Sequence, residues 1–341
     1  MVTQQQIVIE HHGGPENLKM RESLLSAPAP GELTIKVAAA GVNFADIMAR
    51  QGLYPDAPAL PMVVGYEVAG EVIAVGREVD AAWLGKRVFG LTRFGGYSSH
   101  VNVPWQQMFE IPLGMDDYAA ASVPVAYGTA YALVVAMGHL KSHETLLIHN
   151  AGGGVGLAIL DLARHIGART LGTASAHKHE FLRQRGLDHA IDYRQPLWAT
   201  EVMNLTEHRG VELITDPLGG ESWRQSQKLL RSTGRLGMFG ISAASDSGVL
   251  GKLKLLKTAL QMPFFHPVGL MNRNHGAFGV NMGHLWHEAE MIRRWMGDIL
   301  QGINEGWVRP YVDRTFKFEA AGEAHAFVEE RKNIGKVLLI P

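Results

Sequence analysis

Eight residues, His149-Asn150-Ala151-Gly152-Gly153-Gly154-Val155-Gly156, carry the clearest chemistry in the sequence. They have the spacing of a GxGxxG loop, with Ala151 in the first glycine place and Gly153 and Gly156 in the next two. Thr145 to His149, just before, is apolar and reads as a strand; Val155 to Ile166, just after, reads as an apolar helix. That context separates a dinucleotide loop from a plain glycine turn. Small residues let the backbone approach a pyrophosphate, and a helix N-terminus attracts its charge. Ala151, Gly153, Gly154, Val155 and Gly156 are the expected pyrophosphate-binding residues.

The end of the next strand selects the nucleotide. A free ribose 2′-hydroxyl asks for Asp or Glu about 20 residues beyond the loop. This chain has Gly172-Thr173-Ala174-Ser175-Ala176-His177-Lys178 there, with no acid before Glu180. Ser175 can donate a hydrogen bond and Lys178 a charge to a 2′-phosphate, and Tyr193, just after the third strand, adds a hydroxyl. NADPH is therefore expected over NADH. The plainer reading has Ser175 capping a helix and Lys178 in solvent; the two readings are compatible, since a cap position is also where an anion binds.

Composition narrows the class. A length of 341 residues suggests about two domains. With 46% hydrophobic and 19% charged residues the chain can bury a large core. Lys plus Arg number 32 against 33 Asp plus Glu, which argues against a nucleic-acid partner. There is no cysteine, which removes disulfides, thiol nucleophiles, iron–sulfur clusters and thiolate zinc sites. Met1 to Glu10 is polar, without a basic-then-apolar leader pattern, and no run of about 18 apolar residues exists. A soluble, cytoplasmic protein is expected.

Two kinds of pattern divide the chain. The first hundred residues hold short strands at Leu33–Val37, Glu67–Val75, Arg87–Leu91 and Tyr97–Val103, separated by turn signals, and one helix at Asn43–Gln51 with Asn43 as N-cap. Asp116 to Met137 has helical density. From Thr145 on, strands and helices alternate, with further strands at Arg169–Gly172, Ala190–Asp192, Glu212–Thr215 and Arg235–Phe239. This alternation implies a parallel, doubly wound sheet. Ser245 to Gly283 is less regular and apolar, and reads either as a pocket or interface segment or as ordinary core with loops. Glu288 to Ile303 is an amphipathic helix with Ile292, Trp295, Met296, Ile299, Leu300 and Ile303 on one stripe.

A β-rich barrel followed by a doubly wound domain with AxGGVG resembles the medium-chain dehydrogenase/reductases over essentially the whole chain. Gly41-Val42-Asn43-Phe44-Ala45-Asp46 and Arg50-Gln51-Gly52-Leu53-Tyr54-Pro55 resemble the zinc-free quinone oxidoreductase, or zeta-crystallin-like, branch. Gly172 to Glu180, Asp216-Pro217-Leu218-Gly219-Gly220 and Lys332 to Leu339 are similar to one subgroup, the homologues of the synaptic vesicle membrane protein. The resemblance implies an α/β fold: a GroES-like β-barrel catalytic domain, 1–125 plus 305–341, and a Rossmann NADPH-binding domain, 126–304, with the cofactor between them. It also implies nicotinamide contacts from Asn43, Thr129, Ile241, Phe278 and Asn333. A homodimer is implied through sheet edges, with Gly234 to Ser242 near that edge.

Zinc-dependent relatives place a Cys where Asn43 stands, a His where Tyr66 stands and a Cys or Asp near Pro124 to Ala126, and carry a four-cysteine lobe. None of these ligands is present. The pairs His11-His12 and His177/His179 lack a supporting carboxylate or an HxxxH frame and read as surface histidines. No metal is expected. Without a Lewis acid, hydride transfer needs a substrate that is already electrophilic, such as a quinone or an α,β-unsaturated carbonyl. By resemblance, Asn43 and Tyr54 face such a substrate as hydrogen-bond donors, and Asp46 holds one of them. Helix capping for Asn43 and packing for Tyr54 are the plainer alternatives. Three functions stay open: an NADPH-dependent quinone reductase, an enone or alkenal double-bond reductase, and an NADPH-binding scaffold. The last would use Lys252, Lys254 and Lys257 among Leu253, Leu255, Leu256 and Leu260 to rest on a membrane or partner.

Overall fold

Short strands dominate the first third of the chain in the computed structural model, which describes residues 2–244 and 248–341, the side chains of 244 and 248–252 excepted. Two units emerge. One comprises the chain up to Gly128 with Gly283–Glu305 and Pro310–Pro341, and the other comprises Thr129–Met282 with Gly306–Arg309.

The first unit is built around the strand Glu32–Val42, longer than its apolar core Leu33 to Val37 implies. It pairs antiparallel with Glu67–Val75, His100–Pro104 and Lys336–Ile340. Alternation puts Leu33, Ile35 and Val37 into a core with Val68, Val72, Val88, Val101 and Val103. A second sheet joins Leu18–Leu25, Val2–Ile9 and Met62–Val63. The hairpin in it was not legible, because Gln4, Gln5 and Gln6 mask the alternation that buries Ile7 and Ile9. The helix Phe44–Gln51 starts after Asn43, as expected, and stops at Gly52, whose φ of 74° suits a glycine C-cap. Asp116 to Met137 is two α-helices, Asp117–Ala121 and Pro124–Tyr131, followed by a wider turn at Ala132–Ala136. Pro124 can start a helix but cannot sit inside one.

The helix expected at Glu288 to Ile303 spans Ala289–Glu305 and buries Ile292, Met296 and Ile299. It packs with the first unit, whereas the expected division put residues up to 304 in the nucleotide domain. Arg293 Nη1 donates to the carbonyls of Gln106 and Met108 at 3.0 and 3.1 Å, and its guanidinium lies over the rings of Trp105 and Phe109.

The second unit is a six-stranded sheet, parallel throughout. Its order is His189–Asp192, Arg169–Ala174, Thr145–Ile148, Val211–Asp216, Leu230–Met238, Gly276–Gly279. Counted within the unit, this is 3-2-1-4-5-6, the doubly wound order of dinucleotide-binding sheets. The α/β reading of the sequence holds, with one β-rich unit and one doubly wound unit. The described part of Ser245 to Gly283 is ordered into helices Gly248–Leu260 and Pro267–Arg273 and the strand Gly276–Gly279. That strand is the outermost of the sheet among the described residues, and its neighbour Leu230–Met238 carries the start of Gly234 to Ser242, which thus lies near the edge. Leu253, Leu256 and Leu260 form an exposed stripe on the first helix, with Phe264, Val268 and Met271 exposed beyond it.

Candidate active site

In the second unit the glycine loop leaves the central strand Thr145–Ile148 at the point where strand order reverses, next to Val211–Asp216. Ligands of open α/β sheets bind at such points. The loop is tied down on both sides: Ala151 N–H donates to Thr173 O at 3.1 Å and His149 N–H to Thr215 O at 3.0 Å. Asn150 turns the chain with φ +55°. The helix Gly154–Ile166 follows, and its N-cap Gly153 offers no capping side chain. A helix leaves its first N–H groups without intrahelical partners, which suits an anion there. A β-carbon at Gly156 would lie 2.4 Å from Asn150 O and 2.6 Å from Ala151 O, so only glycine lets helix and loop meet. Ala151, fully buried, packs its methyl group against Gly172.

Lys178 is not solvated. It is 4% exposed, and its stem lies over the loop, with Cδ 2.8 Å from where a β-carbon of Gly152 would be. Ser175 stands at the N-cap of Ala176–Lys178 but makes no capping bond with its side chain. Its hydroxyl lies 3.4 Å from Tyr193 Oη instead. Ser175, Lys178 and Tyr193 are thus gathered at the ends of neighbouring strands. His177 is exposed, while His179 is half-buried with Nε2 3.1 Å from Ala174 O. Among the described residues, no group of three or more His, Cys, Asp or Glu is arranged to hold a metal.

Beneath the loop lies a polar network that the sequence did not reveal. His149 is buried, with Nδ1 3.0 Å from Thr173 Oγ1 and Nε2 3.1 Å from Ser226 Oγ. The buried Asp216 carboxylate accepts from Leu218 N, Ser222 Oγ and Ser226 Oγ at 2.7–2.8 Å. Burial lowers the His149 pKa although Asp216 pulls the other way, so the ring is held neutral. The network fixes the turn after Val211–Asp216 to the strand that launches the loop. Only the DPLGG run hinted at it.

In the first unit Asn43, Asp46, Glu67 and Lys336 meet, although 293 positions separate Asn43 from Lys336. Asn43 has the N-cap backbone, but its amide is engaged elsewhere. Nδ2 donates to Glu67 Oε1 at 2.9 Å, and Oδ1 accepts from Lys336 Nζ at 2.8 Å. Glu67, buried, also accepts from Lys336 and from Val125 N. Asp46, fully buried, accepts from Asn43 N at 2.8 Å, Gly65 N at 2.9 Å and Tyr97 Oη at 3.2 Å. It therefore holds Asn43 through the backbone, and its other partners are Gly65 and Tyr97 where Tyr54 was the alternative. Tyr97 Oη is 3.1 Å from Nε2 of the buried His325. Burial raises the Asp46 pKa to about 7, against the pull of its hydrogen bonds and Lys336. Tyr54 is half-buried and meets Tyr66 edge-on, with ring centroids 6.0 Å apart.

The residues carried over for nicotinamide contact fall in both units. Thr129 is buried in the helix Pro124–Tyr131. Ile241 stands against Gly219, and Phe278, on the edge strand, lies against Gly237. Asn333 Nδ2 donates to Gly335 O at 2.7 Å, shaping the turn before the last strand.

Comparison with known proteins agrees with this architecture. The family described as "Alcohol dehydrogenase GroES-like domain" matches residues 29–113, and "Zinc-binding dehydrogenase" matches residues 185–339. The chain belongs to the medium-chain dehydrogenase/reductase superfamily, in its quinone oxidoreductase-like branch and the subgroup of VAT-1 homologues. It is 36% identical to the human synaptic vesicle membrane protein VAT-1 homolog over 338 residues, 98% of this chain and 86% of the human one. Among solved structures it is similar to Escherichia coli quinone oxidoreductase complexed with NADPH, with TM-score 0.87, 28% identity and full coverage of both chains. It is also similar to CurK enoyl reductase, with TM-score 0.85, 26% identity and 99% of each chain covered.

Proposed function

We propose that the protein is an NADPH-dependent oxidoreductase that passes a hydride to quinones without zinc. The observation that carries this reading is the glycine loop at the reversal point of the parallel sheet, with Lys178 lying over it. NADPH fits these residues. The loop has the spaces that side chains would fill, the helix N-terminus suits a pyrophosphate, and Ser175, Lys178 and Tyr193 suit a 2′-phosphate. When bound, the cofactor supplies the hydride. The chain's own task is to orient an electrophilic carbonyl compound and hydrogen-bond its oxygen; Tyr54 is our proposed donor, and Asn43, whose amide is taken up by Gly41, Glu67 and Lys336 and whose backbone Asp46 holds, is our proposed residue shaping the site around it.

Zinc does not fit the donors. Asn43 and Tyr66 are poor ligands, and the carboxylate beside them, Glu67, is already neutralised by Lys336, which also occupies Asn43 Oδ1.

NADPH oxidation followed at 340 nm over a panel of quinones, enones and alkenals tests the reaction. Turnover of 1,2-naphthoquinone above the enones is expected. A preference for enones would move the assignment to double-bond reduction, the reaction class named for CurK. Lys178→Ala tests the cofactor: NADPH should bind about 10-fold more weakly while NADH is little affected, the size of one charge-assisted contact. An unchanged NADPH preference would count against Lys178.

The exposed stripe of Leu253, Leu256 and Leu260, with Lys254 and Lys257 on the same helix, favours a second reading, a scaffold resting on a lipid surface. No helix among the described residues is long and apolar enough to cross a membrane. Cosedimentation with anionic liposomes, lost in Leu256→Glu, together with no turnover on the panel, is the result this reading expects; full turnover without cosedimentation removes it.

A further inference from the structure

Tyr66 sits where the chain enters the strand Glu67–Val75, and Thr92 N–H holds its carbonyl at 2.8 Å. The residue is only 6% exposed. Its hydroxyl oxygen is buried and makes no hydrogen bond of normal geometry. A buried polar atom left in that state costs about 1–3 kcal/mol, and native structures rarely keep one without a use. The ring is fixed on two sides. Tyr54 meets it edge-on at 6.0 Å, and Phe94 is tilted against it at 5.0 Å. After burial itself, the Tyr54 side chain is the polar neighbour that does most to hold the Tyr66 phenol above its ordinary pKa. The phenol therefore holds its proton past the ordinary tyrosine range and is available as a donor. Its neighbours in sequence belong to the cluster already described: Gly65 N–H binds Asp46, and Glu67 binds Asn43.

We propose that the Tyr66 hydroxyl, beside that of Tyr54, donates a hydrogen bond to the carbonyl oxygen of a planar conjugated substrate. This rests on the oxidoreductase reading above and names a catalytic residue that the reading did not use. As hydride bonds to the conjugated system, the displaced π electron pair moves onto the carbonyl oxygen. Tyr66 and Tyr54 stabilise the charge there, and water supplies the proton that completes the product. The rings of Tyr54, Tyr66 and Phe94 provide flat apolar surface suited to a quinone or enone. A donor aimed at developing charge in a dry site is worth far more in the transition state than in the ground state.

Tyr66→Phe removes only the hydroxyl. The expected kcat with 1,2-naphthoquinone is about 10- to 100-fold lower, with KM and NADPH affinity within about twofold of wild type. Because the lost hydroxyl makes no hydrogen bond of normal geometry in the folded protein, the melting temperature should stay close to that of the wild type. A merely structural tyrosine predicts the opposite pair, a lower melting temperature with kcat kept. A kcat within twofold of wild type overturns the proposal. Binding of 4-nitrophenolate, an anionic oxygen probe followed by its absorbance, separates the two levels of inference. If the wild type turns over no quinone or enone, the oxidoreductase reading falls. Tyr66 is then judged by the probe: weaker binding in Tyr66→Phe supports the oxygen-binding role, and equal binding ends it.

Discussion

Gly156→Val is expected to weaken NADPH binding by at least about 100-fold, roughly 3 kcal/mol, while the protein stays folded. The expectation follows from which atoms a side chain would meet. A β-carbon there falls 2.4 Å from Asn150 O and 2.6 Å from Ala151 O, both carbonyl oxygens of the loop's own backbone. A flexible side chain could swing away, but a backbone carbonyl moves only if the loop moves. The loop is pinned by Ala151 N–H on Thr173 O and His149 N–H on Thr215 O. Helix and loop must therefore separate, and the N–H groups that suit a pyrophosphate lose their common focus. The cost falls on binding first, because the helix Gly154–Ile166 keeps its other anchors, including Asp161 with Arg185 and Arg309. Titration of NADPH fluorescence, with far-ultraviolet circular dichroism as the check on folding, reads the result. Gly297→Ala is the control. Nothing lies within 4 Å of its β-carbon position in an exposed helical turn, so binding should be unchanged. NADPH affinity in Gly156→Val within threefold of wild type would show that the loop does not hold the cofactor.

That loop was legible in the sequence because everything it needs is local. A strand, small residues at fixed offsets and a helix occupy about twenty consecutive positions, and each has its own periodicity. The parallel sheet was legible for the same reason, as was the zero cysteine count that removes thiolate zinc. The polar clusters were not. Asn43 meets Lys336, Tyr97 meets His325 and His149 meets Ser226, pairs separated by 293, 228 and 77 positions. No local pattern marks a buried His or Lys whose partner lies on a distant element of the chain. Tyr66 shows the limit most plainly. In the sequence it is only a residue standing where relatives place a zinc ligand, and its unpartnered hydroxyl appears only once Tyr54 and Phe94 close around it. The segment from Ser245 to Gly283 failed for another reason. Its helices leave Leu253, Leu256 and Leu260 exposed, so hydrophobicity there does not report burial.

The second large effect concerns Asp46 and has a definite sign in pH. Burial raises its pKa from 3.8 to about 7. Between those values the unfolded chain has released the proton and the folded chain still holds it. Stability is thus fully present below about pH 4 and falls as pH climbs towards 7, by roughly 4 kcal/mol from this group alone. The surrounding groups accommodate both states. Ionised Asp46 accepts from Asn43 N, Gly65 N and Tyr97 Oη, with Tyr97 in turn accepting from His325 Nε2. A neutral Asp46 has Tyr97 Oη within reach of its proton, at 3.2 Å, and Tyr97 then has His325 Nε2 at 3.1 Å as an acceptor. Lys336 favours the charged form, and burial first, then Arg50 on the same helix as Asp46, lowers the His325 pKa and keeps that ring neutral. Asp46→Asn cannot titrate, and its NH2 group must face one of the two backbone donors, at a cost of about 1–3 kcal/mol. Urea unfolding at pH 5 and pH 8 compares the two proteins. The wild type should be the more stable at pH 5, and its advantage should shrink or reverse by pH 8, because only the wild type then carries a buried charge. Parallel stability profiles across that range would mean that Asp46 is ionised throughout and that its three donors, with Lys336, outweigh its burial.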